Sequence, residues 1–185
     1  VVTLTEEEPY PEKTILDHSA GEISTADARI LMETIQNQFN SETFQFYPGT
    51  SYRHIMIWKQ GKLVPLEPPH DHLTQVIGPY LPKEAVLRDF MEKSFDLLNN
   101  HPLNLQRGAE GKNKANSLWY WGAGTKPSLE NFQTKTGLKG AVVSAVDLLK
   151  GIAVGSGMQV CYVEGATGSI DTNWEGKAQA AIDAL

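Results

Sequence analysis

Two histidines flank an aspartate in the stretch EPPHDHLTQ, which covers residues 67–75. If this segment is extended, residues two apart point to the same side, so His70 and His72 would offer two imidazoles to one metal ion. A closed metal site needs further ligands, but the other histidines are scattered along the sequence and Cys161 is alone. Two other interpretations therefore stay open. Either His70 and Asp71 form a polar pair at a cleft, or Asp71 caps backbone groups of a turn.

Further candidate residues stand where predicted strands and helices begin or end. Arg53 and His54 open a predicted strand, where a guanidinium can hold a phosphate or carboxylate through two parallel hydrogen bonds; the alternative is an exposed salt bridge. Asp17 precedes a predicted helix, either in a polar site or within a turn. Lys150 follows an apolar strand that ends near Ser144, and ligands of open α/β sheets collect beyond the carboxyl ends of strands. It can equally be an ordinary surface lysine.

Composition narrows the class of protein further. The 185 residues carry a formal net charge of −6, which argues against a general nucleic-acid binder because phosphate contacts need a basic surface. A single cysteine forms no intrachain disulfide, no apolar run spans a bilayer, and the opening residues lack the basic start of a signal peptide. We therefore expect a cytoplasmic protein. The sequence contains no GxSxG, HExxH or CxxC motif, so it shows no complete catalytic apparatus.

The elements that must position these residues follow from hydrophobic spacing. Helical periodicity predicts helices over residues 26–39 and 83–99, with Pro102 ending the second. Between them, β-branched and aromatic residues predict an antiparallel sheet with its hairpin turn at residues 59–62. The polar, proline- and glycine-containing segments 5–13 and 107–116 are predicted to be linkers.

The last part of the chain has a different order of predicted elements. Apolar strands alternate with helices in LKGAVVSAV, DLLKGIAVGSG, MQVCYV and NWEGKAQAAIDAL, which is typical of βαβ units with a parallel sheet. The sequence thus predicts an α/β fold with an α+β insertion. The predicted domains are a strand and linker at residues 1–13, an inserted domain at 14–115 and a partial α/β core at 116–185. Because the chain opens in a strand-like pattern and ends in a helical one, we expect a piece of a longer protein.

Six blocks of sequence, in order along the chain, resemble the archaeal-type, cofactor-independent phosphoglycerate mutases of the alkaline phosphatase superfamily. They are LDHSAGEIST, FYPGTSYRHIMIWK, PPHD, ANSLWYWGAG, GLKGAVVSAVDLLKGIA and VEGATGSIDTNWEGKAQAA. The resemblance implies a phosphatase-like core and an inserted substrate-recognition domain. It further implies interconversion of 2-phosphoglycerate and 3-phosphoglycerate through a phosphoserine, with two divalent cations (Mn, Mg or Zn) in the whole protein. Its nucleophile and metal ligands would lie outside these 185 residues, so we expect the chain alone to be inactive and to hold no metal.

The same resemblance assigns a set of substrate-binding residues and no catalytic ones. These substrate contacts are Asp17, Arg53, His54, His70, Asp71 and Lys150. Glu22 departs from the family pattern, where a basic or neutral residue is expected, and His72 matches no motif position. The expected partners are phosphoglycerate and the missing core segments of the parent chain. The alternatives are a phosphonopyruvate decarboxylase-like or other phosphomonoester enzyme of this superfamily, or a non-catalytic anion-binding module.

Overall fold

The computed structural model describes residues 1–168 and 170–185, which form two compact units, residues 1–124 and 125–185. None of the helices in this described part of the chain has the length and apolarity that a membrane crossing requires. The predicted boundaries after residues 13 and 115 stay predictions.

Along the first unit, each pair of short strands is followed by α-helix. The order is β1 (Thr3–Leu4), β2 (Ile15–Asp17), α1 (Thr25–Phe39), β3 (Phe44–Pro48), β4 (His54–Trp58), α2 (Ala85–Leu98) and α3 (Pro102–Ala109). β1 pairs with β2 and β3 pairs with β4, both antiparallel. The predicted antiparallel sheet is confirmed as the β3–β4 pair.

Helix α1 forms where the sequence places a cap before an apolar face. The Ser24 hydroxyl oxygen accepts a hydrogen bond from the Asp27 amide at 3.0 Å, satisfying one of the free donors at the helix start. The buried face consists of Ala28, Leu31, Met32, Ile35 and Phe39. Ile30, which the spacing had placed on the same face, is exposed. The helix prediction is confirmed, with Met32 in place of Ile30.

The hairpin turn lies at residues 49–53, not at 59–62 as predicted from Gly61. Phe44 pairs with Trp58 and Pro48 with His54, so residues 59–62 follow the second strand. A Cβ on Gly49 would lie 2.3 Å from the Arg53 carbonyl oxygen, so the tight closure requires glycine there. The sequence PGTS contains this turn signal, whereas the prediction placed the turn at residues 59–62, where Gly61 lies twelve residues after Gly49.

Two segments that were predicted to be linkers carry buried anchors. Tyr10 and Lys13 are buried in the first segment, where the Tyr10 hydroxyl lies 2.8 Å from the Ser117 hydroxyl oxygen. In the second, Arg107 and Asn116 are buried. Their polarity suggested exposure, yet each has hydrogen-bond partners within the fold, which removes the penalty of burial.

Helix α2 packs an apolar stripe into the core as its spacing predicted, with Leu87, Met91, Phe95 and Leu98 buried. Pro102 does end the helical pattern, but it also begins α3, where a missing amide hydrogen is no loss. The His101 ring caps this second helix because its Nδ1 accepts a hydrogen bond from the Leu103 amide at 3.2 Å.

In the second unit, helices and strands alternate as predicted. The order is α4 (Phe132–Thr136), β5 (Ala141–Val143), α5 (Asp147–Gly155), β6 (Gln159–Cys161) and α6 (Trp174–Asp183). β5 and β6 are parallel, with Ala141 opposite Gln159 and Val143 opposite Cys161. This βαβ unit confirms the α/β character of the last part of the chain.

Replacing Asn104 tests the contribution of the buried amides to stability. Its Nδ2 donates to the carbonyl oxygens of Leu98 and Ala115, at 2.8 and 2.9 Å, and its Oδ1 accepts from the Ala115 amide at 2.9 Å. Asn104→Ala leaves the buried amide and carbonyl of Ala115 unpaired, and it removes one of the two hydrogen bonds to the Leu98 carbonyl, which keeps the His101 amide as a donor. We therefore expect the free energy of unfolding to fall by about 2–4 kcal/mol in urea denaturation. The matched control Asn100→Ala, at an exposed position, should change it by less than about 0.5 kcal/mol. Equal stability of the two variants would contradict this role.

Candidate functional site

Four aromatic rings from distant parts of the first unit lie edge to face in a row. The His18 ring is 5.6 Å from the Tyr52 ring and 6.0 Å from the His70 ring, and the His70 ring is 5.5 Å from that of Trp121. We call these four residues the aromatic row. His18 follows strand β2, Tyr52 lies in the β3–β4 turn, and Trp121 follows the segment that pairs with residue 2. The fold therefore gathers four separate segments at one place, His70 coming from the turn at residues 69–72.

The His70–Asp71 pair predicted from the sequence is present. His70 Nε2 lies 3.7 Å from an Asp71 carboxylate oxygen, and both side chains are exposed. Residues Pro69–His72 form one turn of 3₁₀ helix, and Pro69 is buried beneath it. The Trp119 indole nitrogen donates to the Glu67 carbonyl oxygen at 2.7 Å, which anchors the start of the loop. Asp71 thus lies beside an accessible imidazole.

His70 and His72 do not act as two ligands of one ion. The segment is a 3₁₀ turn and not extended, so side chains two residues apart diverge. The His72 ring stacks on Tyr80 at 3.7 Å and its Nε2 lies 3.3 Å from a Glu67 carboxylate oxygen, while His70 belongs to the aromatic row. Among the described residues, no group of three or more His, Cys, Asp or Glu side chains is arranged to hold a metal ion.

Arg53 stands beside the aromatic row. Its guanidinium carbon lies 5.4 Å from the centre of the Tyr52 ring, a cation–π distance. No described residue accepts a hydrogen bond from its buried Nε. Buried donors almost always have partners, so this nitrogen has the capacity to donate to one further acceptor.

His54 is the neighbouring residue and starts β4. Its Nδ1 accepts a hydrogen bond from the Gly49 amide at 3.2 Å, which leaves the proton of the neutral ring on Nε2. Nε2 is buried, and no described residue pairs with it. Burial lowers the pKa of His54 to about 3. The ring is therefore a neutral hydrogen-bond donor at physiological pH.

Asp17 is committed to the turn that follows it. One carboxylate oxygen accepts from the Ser19 amide at 2.7 Å and from its hydroxyl at 2.9 Å; the other accepts from the Gly21 amide and from Asn113 Nδ2, each at 2.7 Å. Burial raises the pKa of Asp17, but these hydrogen bonds outweigh it, so the pKa is lower than usual. The sequence left a polar site and a turn as alternatives, and the carboxylate contacts fit the turn.

This turn is backbone-strained. Ala20, Gly21 and Glu22 are consecutive residues with positive φ, at 51°, 67° and 51°. A left-handed conformation costs a residue with a side chain about 1–2 kcal/mol, so the surrounding contacts must stabilise Ala20 and Glu22 there. The turn immediately follows His18 of the aromatic row.

Lys150 lies in the second unit, on helix α5. Its ammonium is 3.5 Å from an Asp147 carboxylate oxygen one turn earlier and 5.6 Å from the centre of the Tyr162 ring. Its side chain is partly exposed. Its role as a substrate contact stays a prediction.

Three members of the aromatic row were missed or undervalued in the sequence. The sequence predicted a role for Asp17 but not for its neighbour His18, and none for Tyr52 or Trp121. The signal was present in the quoted blocks, since Tyr52 adjoins Arg53 and Trp121 opens the glycine-rich WGAG. Aromatic residues next to flexible turns are more often structural, so only spatial proximity distinguishes these.

Residues 1–104 match the family described as 2,3-bisphosphoglycerate-independent phosphoglycerate mutase. The chain belongs to this family. The resemblance seen in the six sequence blocks is thereby confirmed.

Curated relatives extend the similarity over nearly the whole chain. A probable 2,3-bisphosphoglycerate-independent phosphoglycerate mutase from Geobacter sulfurreducens is 52% identical over 173 residues, covering 91% of this chain and 43% of the relative. The enzyme of that name from Methanosarcina barkeri is 51% identical over 176 residues, covering 92% of this chain and 44% of the relative. The chain thus spans less than half the length of these phosphoglycerate mutases.

Two solved structures share the fold. The PH0037 protein from Pyrococcus horikoshii matches with a TM-score of 0.63 and 28% identity, over 88% of this chain and 40% of that one. A cofactor-independent phosphoglycerate mutase from Thermoplasma acidophilum matches with a TM-score of 0.52 and 24% identity, over 91% of this chain and 48% of that one. The second likeness supports the fold alone.

The low pKa of His54 predicts a dependence of stability on pH. An unfolded histidine has a pKa of 6.5 and the folded ring one of about 3, so between these values only the unfolded chain binds the proton. The free energy of unfolding therefore rises with pH in this window, by up to about 1.4 kcal/mol per pH unit, and the stabilisation is lost as the pH falls toward 3.

His54→Asn should remove this part of the slope, because the amide oxygen can still accept from Gly49 without titrating. The measurement is urea unfolding of both proteins at several pH values between 4.5 and 6.5. The same slope in both would show that His54 is not the group responsible.

Proposed function

We propose that this chain is the substrate-recognition part, with some adjoining core, of a 2,3-bisphosphoglycerate-independent phosphoglycerate mutase. The whole protein would interconvert 2-phosphoglycerate and 3-phosphoglycerate. Membership of the family supports the reaction, and the pair of buried donors at Arg53 and His54 supports the place where an anionic substrate binds.

Arg53 and His54 suit the recognition of an anion for different reasons. A guanidinium is always charged and offers parallel N–H groups that match the two oxygens of a carboxylate or phosphate. His54 contributes a neutral donor, because its low pKa keeps a second positive charge out of a partly buried place. Arg53 thus supplies charge and orientation, and His54 supplies a hydrogen bond after a small adjustment of the loop.

His70 and the aromatic row would form the wall of the same site. The exposed His70 ring, with Nε2 3.7 Å from an Asp71 carboxylate oxygen, would donate an N–H hydrogen bond to substrate oxygens. Tyr52 and Trp121 present ring surfaces that limit the access of water. Excluding water suits transfer of a phosphoryl group within one substrate, because water would compete as the acceptor and release phosphate.

Asp17 would act on substrate through the turn and not by contact. Its carboxylate holds Ser19 and Gly21, and a second negative charge facing an anion would weaken binding. We therefore retain Asp17 as a residue that shapes the site. Lys150 remains a proposed anion contact from the second unit, where its charge is shared with Asp147.

Divalent cations, whether Mn, Mg or Zn, belong to the proposal for the whole protein. When bound, such ions stabilise charge on a transferring phosphoryl group. The described residues do not offer a fitting set of ligands, and His70 and His72 point to different neighbours. The nucleophilic serine and the metal ligands are therefore assigned to parts of the protein that this chain does not include.

The second unit would contribute to an alkaline-phosphatase-like core. Its parallel βαβ unit fits such a core, and several of its large apolar side chains are more than half exposed: Leu148, Val154, Tyr162, Trp174 and Ile182. Exposed apolar area of this extent is typical of a surface that another part of the protein covers. Because the chain spans 43–44% of its curated relatives, we assign that cover to further core segments of the parent chain. A cytoplasmic location completes the proposal.

Arg53 provides the first test of substrate binding. Removing a charge-assisted contact to an anion should raise the Kd of the chain for 3-phosphoglycerate by about 10- to 100-fold in Arg53→Ala, measured by isothermal titration calorimetry. Arg53→Lys should recover only part of the affinity, because lysine cannot make the paired contact.

Arg29→Ala is the control, since Arg29 is an exposed arginine on α1 and its loss changes the net charge equally. Titrations with inorganic phosphate separate phosphoglycerate recognition from general anion binding. Unchanged affinity in Arg53→Ala would remove Arg53 from the site. Equal affinity for phosphate would favour a simple anion-binding module.

Catalysis provides the second test. Phosphorus NMR should show conversion of 3-phosphoglycerate to 2-phosphoglycerate by the whole protein supplied with Mn²⁺, and none by the 185-residue chain under the same conditions. The reason is that, among the residues the structure describes, no group of three or more His, Cys, Asp or Glu side chains is arranged to hold a metal ion. Turnover by the chain alone would overturn the assignment of nucleophile and metal ligands to other segments.

A further inference from the structure

Arg107 is a buried arginine that no step of the proposed function uses. Its side chain is 6% exposed, and three of its nitrogens each donate a hydrogen bond. Nε donates to the Asn113 carbonyl oxygen at 3.1 Å, Nη1 to an Asp27 carboxylate oxygen at 2.9 Å, and Nη2 to the Ala20 carbonyl oxygen at 2.9 Å. The charge is thus paired, and the remaining donors bind two backbone segments.

One of these segments is the strained turn. Ala20, whose carbonyl Arg107 binds, is the first of the three left-handed residues and is fully buried. Such a conformation persists only where the surroundings hold it. Asp27 pairs with the same guanidinium from the first turn of α1, so Arg107 joins the turn to the helix that follows it.

The other backbone segment that Arg107 binds, at Asn113, contacts the residue that starts the same turn, Asp17. Asn113, whose carbonyl accepts from Arg107, donates its own side-chain amide to Asp17 at 2.7 Å. Residues 107–113 therefore fix the chain both before and after His18. His18 is the ring that joins Tyr52 to His70 in the aromatic row, at 5.6 and 6.0 Å.

We propose that Arg107 is a positioning residue that acts through Ala20 and Asn113 to set the orientation of the His18 ring, and with it the shape of the substrate site. Arginine is required because its planar group directs separate N–H bonds to three acceptors, while a lysine ammonium keeps the charge without this geometry. The effect on substrate affinity rests on the proposed function; the effect on His18 does not.

The test compares ring resonances and affinity in folded variants. In Arg107→Lys, the charge facing Asp27 is kept but the directed contacts are lost. We expect the His18 ring signals in carbon–proton correlation spectra, assigned with His18→Gln, to shift as the ring leaves the face-to-edge contact with Tyr52. The Kd for 3-phosphoglycerate should rise about tenfold, the equivalent of one lost hydrogen bond.

Arg88→Lys is the matched control, because Arg88 also donates to backbone carbonyls, those of Pro82 and Lys83, but does not touch the turn. Its His18 signals and Kd should equal those of the unmodified chain. Asn113→Ala is the second variant, which removes only the amide contact to Asp17 and should shift the His18 signals in the same direction. If Arg107→Lys does not fold, the His18 signals of Asn113→Ala test the positioning role instead.

The outcomes separate the two proposals. Unchanged His18 signals in folded Arg107→Lys, or in Asn113→Ala if the first variant does not fold, would overturn the positioning role. Shifted signals with an unchanged Kd would overturn the link between His18 and the substrate site. If the unmodified chain does not bind 3-phosphoglycerate, the proposed function fails in this respect, while the ring signals still decide how His18 is positioned.

Discussion

Buried polar groups must find hydrogen-bond partners, and in the first unit this constraint joins segments that are far apart in the sequence. The Asn116 amide pairs with both backbone groups of Leu4, accepting from its N–H at 2.8 Å and donating to its carbonyl at 2.9 Å. This pairing fixes β1 against the segment that leads to Trp121. Because β1 also pairs with β2, which leads to His18, the same closure brings together loops that supply the aromatic row.

The elements best predicted from sequence are those whose formation depends on local pattern. Helices α1 and α2 have long apolar stripes, and their spacing alone identified them. The hairpin turn was misplaced because the prediction followed Gly61, while the physical requirement lies in the close approach of Gly49 to Arg53. The segments around Tyr10 and Arg107 were misjudged for a related reason: polarity indicates exposure only when the partners that permit burial are absent, and those partners come from distant residues.

In the candidate site, too, the sequence predicted single residues but not how they are arranged in space. Arg53, His54, His70 and Asp71 were identified individually, and the pair formed by the last two is present. The sequence could not show which side chains point toward the same place. The direction of the His72 ring, for example, depends on a 3₁₀ turn and on stacking against Tyr80, eight residues later. Likewise the role of Asp17 follows from four short contacts, one of them from a residue 96 positions away. Family resemblance suggested these residues, and the geometry shows that Arg53 and His54 have buried donors without a described partner whereas Asp17 holds a turn.

The pairing of Leu4 with Asn116 also has a consequence for the order of events during synthesis. The two residues are separated by 112 positions, so Leu4 leaves the ribosome long before Asn116 is synthesised, although the strand partner β2 follows soon after β1. At about 5–20 residues per second, the backbone groups of Leu4 wait roughly 6–20 s for the Asn116 amide. Helices α1 and α2 can form in that interval from local contacts, whereas the loops of the aromatic row must wait. The aromatic row can therefore be completed only after Trp121 has been synthesised, later than α1 and α2.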